Sequence, residues 1–213
     1  MSNQVLIIVW SDYVCPFCYL EEPILNQLQE AFGAQVEIEW RAFELRPDPV
    51  PTLDPDGDYL RSTWARAVYP MAAQRGMTLR LPPVQPRSRL ALEAERFARN
   101  SGLGKPMHQA IFRAFFEHGR DIGDVEVLLD IGSHVGVNVV DLRAALKKGE
   151  YSEAVSQDQR QAQAWGITGV PALLLQRVGG ALESAVLLSG AQPFEVLHKV
   201  VSEFLENSSS QTA

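Results

Sequence analysis

Cysteine is scarce in this sequence: two residues in 213, Cys15 and Cys18. A framework of several disulfides, as in small secreted domains, is therefore excluded. Long apolar runs are missing as well. The strongest, Val5 to Trp10, closes on Ser11 and Asp12 and is far short of the ~20 residues a membrane-spanning helix needs. Basic residues are outnumbered, 19 Lys and Arg against 26 Asp and Glu, for a net charge of -7. Proteins held by phosphate contacts usually carry a basic stripe, so neither nucleic acid nor a membrane is expected as a partner. Met1-Ser2-Asn3-Gln4 lacks a basic n-region and the apolar run after it is shorter than a signal-peptide core, which points to a cytoplasmic protein. Hydrophobic content of 46% and charged content of 21% exclude disorder and collagen and leave a globular chain.

The pattern of what is present has three parts. Val5 to Trp10 is β-branched and unbroken, the mark of a strand covered on both faces. After Ser11-Asp12-Tyr13-Val14 and Cys15-Pro16-Phe17-Cys18, the residues Leu20, Ile24, Leu28 and Phe32 repeat at helical spacing up to Gly33, with Pro23 expected to kink the helix. Val36, Ile38, Trp40 and Ala42 alternate with charged residues as a half-buried strand, completing a right-handed βαβ unit. From Arg46 to Asp58 prolines and aspartates take over and mark a boundary. Helical patterns then fill Tyr59 to Arg75, Ser88 to Asn100, Pro106 to His118, Val125 to Val135, Val139 to Lys148 and Tyr151 to Trp165. Last comes a hairpin, Ala172 to Gln176 and Ser184 to Leu188 turning at Gly179-Gly180, followed by a helix from Pro193 to Leu205 and a loose tail from Asn207 to Ala213. The flanking βαβ and ββα parts are each too small to bury a core alone, so they should share one α/β sheet with the helices inserted as a second lobe. The expected divisions are 1–46, 47–150 and 151–213.

The cysteine pair carries the chemistry. A thiol is a nucleophile only as a thiolate, and a helix start offers partial positive charge and free N–H groups to an ionised sulfur. Cys15 falls near the N-cap, and Pro16 sits where a missing N–H is harmless. Cys18 is one turn on, on the same face, and so can attack a mixed disulfide formed at Cys15. Two cysteines at this spacing also form half of a zinc site, but there is no second pair, and His108, His118, His134 and His198 are scattered singly. Zinc and coincidence remain the bland alternatives.

Val14-Cys15-Pro16-Phe17-Cys18-Tyr19, after a strand ending Trp10-Ser11-Asp12, resembles the DsbA family of thioredoxin-fold oxidoreductases, in particular its FrnE-like branch. Phe43-Glu44-Leu45-Arg46-Pro47, Glu117-His118-Gly119-Arg120-Asp121-Ile122-Gly123, Gly166-Ile167-Thr168-Gly169-Val170-Pro171 and Ser189-Gly190-Ala191-Gln192-Pro193 are similar to that branch in content and order. The resemblance implies a thioredoxin-like fold with an inserted helical lobe, an exposed attacking Cys15 and a buried resolving Cys18. It also implies that Pro171 is cis beside the sulfurs and that Val170 pairs with an extended substrate, with Pro16 and Phe17 flanking it. The expected activity is disulfide reduction or isomerisation without a cofactor. The expected partners are protein or peptide disulfides and thiols, glutathione among them. Phe17 stands where the branch usually has Trp and where strongly oxidising members have His, so a less oxidising couple is expected; Arg46 stands where Asn is common.

Other residues receive structural readings. Asp12 and Glu44 could relay a proton but are expected to hold turns and hydrogen bonds. Ile111, Phe112, Phe115 and Phe116, with Trp64, Tyr69, Phe97 and Trp165, read as core. Arg120-Asp121 reads as a structural charged pair, either on the surface or fixing the lobe to the sheet domain. Two further activities suit the same layout. One is a kappa-like glutathione transferase or chromene-carboxylate isomerase, which would use a serine or one polar group in place of the pair. The other is a redox-sensing, peptide-binding module.

Overall fold

A computed structural model describes residues 4–206; the tail expected from Asn207 lies outside these. Strand β1 (Val5–Ser11) is central, as its apolar run requires, in the sheet order β2-β1-β3-β4. It runs parallel to β2 (Val36–Ala42), from Val5 against Val36 to Ser11 against Ala42. On its other side it pairs antiparallel with β3 (Ala172–Arg177), which in turn pairs antiparallel with β4 (Val186–Ser189).

Helix α1 (Pro16–Phe32) connects β1 to β2 and runs without interruption through Pro23. With α9 (Phe194–Glu206) it covers one face of the sheet, where Val5, Ile7 and Val9 meet Leu25, Leu28, Leu197 and Val201. The opposite face, carrying Ile8, Trp10 and Leu174, packs on Ala162 of α8 (Ser152–Ala164). Burying such side chains is worth roughly 1.5–3 kcal/mol each. Asp158 of α8 is buried and locks this layer, accepting the Ala42 N–H at 3.0 Å, while its carbonyl accepts Trp10 Nε1 at 3.1 Å.

The inserted helices are α2 (Asp58–Thr63), a π turn (Trp64–Val68), α3 (Tyr69–Gln74), α4 (Arg89–Arg99), α5 (Gly104–Phe116), α6 (Val125–Val135) and α7 (Val139–Lys148). Asp124 and Asn138 cap the starts of α6 and α7, and Gly136 and Gly149, both left-handed, end them.

The helices do not enclose a core of their own. Tyr13, Cys15, Cys18, Tyr19 and Leu20 belong to the same cluster as Phe112, Phe115 and Phe116, all buried. Tyr19 stacks on Phe112 and Phe116 and donates to Glu117 Oε1 at 2.5 Å, while Tyr13 hydrogen-bonds His108 Nδ1 at 2.9 Å. A second tie is polar: Arg75, after α3, donates to Leu20 O, to Glu21 Oε2 at 3.0 Å and to Gln192 O at 2.8 Å. Glu21 Oε2 also accepts the Gln192 N–H at 3.0 Å. One buried carboxylate thus joins the active-site helix, the lobe and the segment before α9.

Several expectations need correction. Tyr69 is 44% exposed and packs edge-on against Trp64, because its helix face points outward, whereas Trp64 itself is core. Arg120 and Asp121 do not fix the lobe to the sheet: Arg120 pairs with Asp130 at 2.7 Å and Asp121 accepts the Gly123 N–H, both within the lobe. The β3–β4 connection is not a two-glycine turn. It includes a 3₁₀ segment, Leu182–Ser184, so that β4 starts at Val186.

Candidate active site

Cys15 is the N-cap of α1, with extended backbone (φ -93°, ψ 112°) and Pro16 opening the helix. Its N–H donates to Asp12 O at 3.0 Å and its carbonyl accepts the Cys18 N–H at 3.1 Å. This fixes the second cysteine one turn behind the first. Both are free thiols. Burial pushes the Cys18 thiol well up, and a hydrogen bond to Cys15 adds to the effect, against smaller opposing hydrogen bonds from the Ser11 side chain and the Asp12 backbone.

The third component comes from the far end of the chain. Cys15 Sγ donates to Val170 O at 3.4 Å, and the Val170–Pro171 peptide is cis. The Gly190 N–H donates to Pro171 O at 2.8 Å, tying this loop to the end of β4. A second cis bond, Asp48–Pro49, lies in the proline-rich segment.

The resemblance implied an exposed attacking thiol, but Cys15 is only 4% exposed. It borders a cleft of about 210 Å³. Phe17, Pro16 and Val170 line this cleft together with Leu45, Arg46, Leu53, Leu60, Trp64 and Phe116. Leu53, Leu60, Trp64 and Phe116 lie in segments far from the cysteines in sequence, and their advance signal was apolar character alone.

Asp12, fully buried, accepts the Leu45 N–H at 2.7 Å and the Val14 N–H at 3.3 Å. Burial raises its carboxyl from an ordinary 3.8 to about 6, against hydrogen bonds from Ser88, Leu45 and Val14. It holds the loop before Cys15 to the chain after β2, a turn-holding role. Glu44 is buried and pairs with Arg89 at 2.6 Å, also a structural role. Among the described residues no group of three or more His, Cys, Asp or Glu lies together to hold a metal. No helix among them is long and apolar enough to cross a membrane.

Comparison with known proteins places this geometry. A family profile described as a DSBA-like thioredoxin domain matches residues 6–202. The Bacillus subtilis protein YwbO, itself uncharacterized, is 32% identical over 203 residues, which are 93% of this chain and 96% of that one. Among solved structures, a probable DsbA oxidoreductase from Streptomyces coelicolor is 26% identical with a TM-score of 0.75, over 94% of this chain and 90% of that chain. The Pseudomonas aeruginosa cytosolic disulfide reductase DsbM, solved with glutathione, shares the fold at 20% identity and a TM-score of 0.66, covering 97% of this chain and 98% of that chain. With its cysteine pair at the start of α1 and a four-stranded sheet behind it, the chain belongs to the DSBA-like thioredoxin domain family, and so to the thioredoxin-fold oxidoreductases.

Proposed function

We propose that the protein is a dithiol–disulfide oxidoreductase of the FrnE-like branch, working as a reductase or isomerase, with Cys15 attacking and Cys18 resolving. The observation that carries this reading is the placement of Cys15: at a helix N-terminus, with Cys18 one turn behind it and Val170 O 3.4 Å from its sulfur. Free N–H groups at a helix start favour an anionic sulfur over a neutral one.

In this reading the Cys15 thiolate displaces one sulfur of a substrate disulfide and forms a mixed disulfide. Cys18, protected from ionising by burial, then gives up its proton, attacks Cys15 Sγ and releases the second substrate thiol. Val170 O is engaged by the Cys15 thiol in the resting state and is freed when that thiol ionises, which makes it available to a substrate N–H. Pro171, Pro16 and Phe17 flank the bound substrate.

The substrates are disulfides and thiols, glutathione included, and the compartment is the cytoplasm, where a moderately poised pair rests as dithiol. Residues 1–46 and 151–213 form the catalytic domain, and 47–150 the lobe that covers its thiol. The test is a titration in glutathione buffers of graded ratio with mass-spectrometric readout. A reversible loss of two hydrogens, two protons with two electrons, between Cys15 and Cys18 is expected, together with disulfide reduction that Cys15→Ser abolishes. No internal disulfide at any ratio would sink the proposal.

A further inference from the structure

We infer that the substrate reaching Cys15 is a small disulfide whose reacting sulfur carries an apolar group of about one ring and a carboxylate within reach of Arg46, and not a disulfide inside a folded protein. This rests on the thiol–disulfide reading above, takes its reductase side, and narrows it to a substrate class.

The first ground is access. Cys15 is 4% exposed, and it borders a cleft of about 210 Å³. An apolar cavity of about 150 Å³ suffices for benzene, and pockets for drug-sized ligands start near 300 Å³. The cleft therefore has room for one ring and its sulfur beside Cys15, with the rest of the molecule lying in solvent. In a protein cystine each sulfur lies two bonds from its own Cα, so the backbone on the attacked side would have to enter the cleft with it.

The second ground is chemistry. Phe17, Leu53, Leu60, Trp64 and Phe116 make the walls apolar, and Thr52, Thr63 and Gln85 are neutral. Of the described side chains lining the cleft, Arg46 alone carries a charge. Its guanidinium is held by donation to Pro51 O at 3.2 Å and keeps further N–H donors for a carboxylate.

The reaction balances as two successive exchanges. The Cys15 thiolate attacks R–S–S–R, the S–S bond breaks, one R–S⁻ leaves and Cys15–S–S–R forms. Cys18 loses its proton and attacks Cys15 Sγ, the second R–S⁻ leaves and takes up a proton, and the internal disulfide forms. Two electrons have then passed from the dithiol to the substrate, and a dithiol reductant restores the enzyme.

The experiment uses the intact protein with dithiothreitol as reductant and four disulfides: 3,3′-dithiodibenzoate, its diamide, cystamine and insulin. Each kcat/KM is divided by the rate with dithiothreitol alone. Dithiodibenzoate is expected to exceed both insulin and cystamine by at least about tenfold, the order a fitted apolar pocket supplies. In Arg46→Gln the ratio of dithiodibenzoate to its diamide is expected to fall about fivefold, as for loss of one partly exposed charge pair. A preference under tenfold, or a ratio that Arg46→Gln leaves unmoved, overturns the assignment. If Cys15 and Cys18 still form a reversible disulfide in that case, only the substrate class falls; if they do not, the function itself does.

Discussion

The stability difference between Glu21→Gln and the parent should move in favour of glutamine as pH rises, in an amount set by the burial of one carboxyl. Glu21 has no exposed surface. Burial raises it from an ordinary 4.5 to about 7, although Arg75 and the Gln192 N–H pull the other way. The folded protein therefore holds this proton more tightly than the unfolded chain, and the associated stability is full below pH 4.5 and lost as pH rises through about 7. At about 1.4 kcal/mol per unit, the loss across that window is about 3 kcal/mol. Glutamine does not titrate and still offers one oxygen to Gln192 and Arg75. Urea unfolding of both proteins at pH 5 and pH 8 should thus show Glu21→Gln gaining about 2.5 kcal/mol on the parent between the two conditions. A gap constant to within about 0.5 kcal/mol would refute the reasoning, because the carboxyl would then be no harder to ionise folded than unfolded.

Four further outcomes are expected. Arg75→Met leaves Glu21 buried without its cation and should cost about 3–5 kcal/mol at pH 8 but less at pH 5, where the carboxyl takes up a proton; equal losses by urea unfolding at both pH values would contradict this. Phe17→His places a cation beside the Cys15 sulfur and should make the couple more oxidising by about 30 mV, tenfold in the glutathione equilibrium; an unmoved midpoint would tell against it. Cys18→Ser should accumulate a Cys15 mixed disulfide visible by mass, and continued turnover would remove Cys18 from the resolving role. Asp12→Ala orphans two N–H groups, at about 1–3 kcal/mol each. Since Asp12 is raised to about 6, its contribution is full below pH 3.8 and is lost as pH rises through 6. The measured cost should therefore shrink by about 3 kcal/mol from acid to neutral pH, and a cost that grew instead would count against the burial argument.

The parts of this structure visible in the sequence are those written in local chemistry. The unbroken run Val5 to Trp10 and the alternation from Val36 to Ala42 became β1 and β2 because burial on two faces or on one leaves a period in the chain. The proline- and aspartate-rich stretch before Asp58 and the glycine at 149 marked real ends. What escaped depends on who meets whom. The cover over Cys15 comes from residues such as Leu53 and Trp64, whose apolar character is shared by any core residue. The partner of Arg120 is ten positions away at Asp130, on α6, and not its neighbour Asp121. Glu21 lies on a helix at a position that reads as solvated until Arg75 and Gln192 are brought to it from the lobe and the chain's far side.

Cys15 and the carbonyl it touches are separated by 155 positions in the chain, and this spacing has a temporal meaning. On the ribosome both cysteines emerge early, whereas β3 and the loop before it come late. Until β3 pairs with β1, Cys15 has no Val170 beside it, and until the lobe docks on Tyr13 and Tyr19 it has no cleft. A half-made chain thus exposes an ordinary pair of thiols, open to any oxidant or metal, and the selective centre appears only once β3 docks. The newborn protein is accordingly most vulnerable to misoxidation before it can act on anything else.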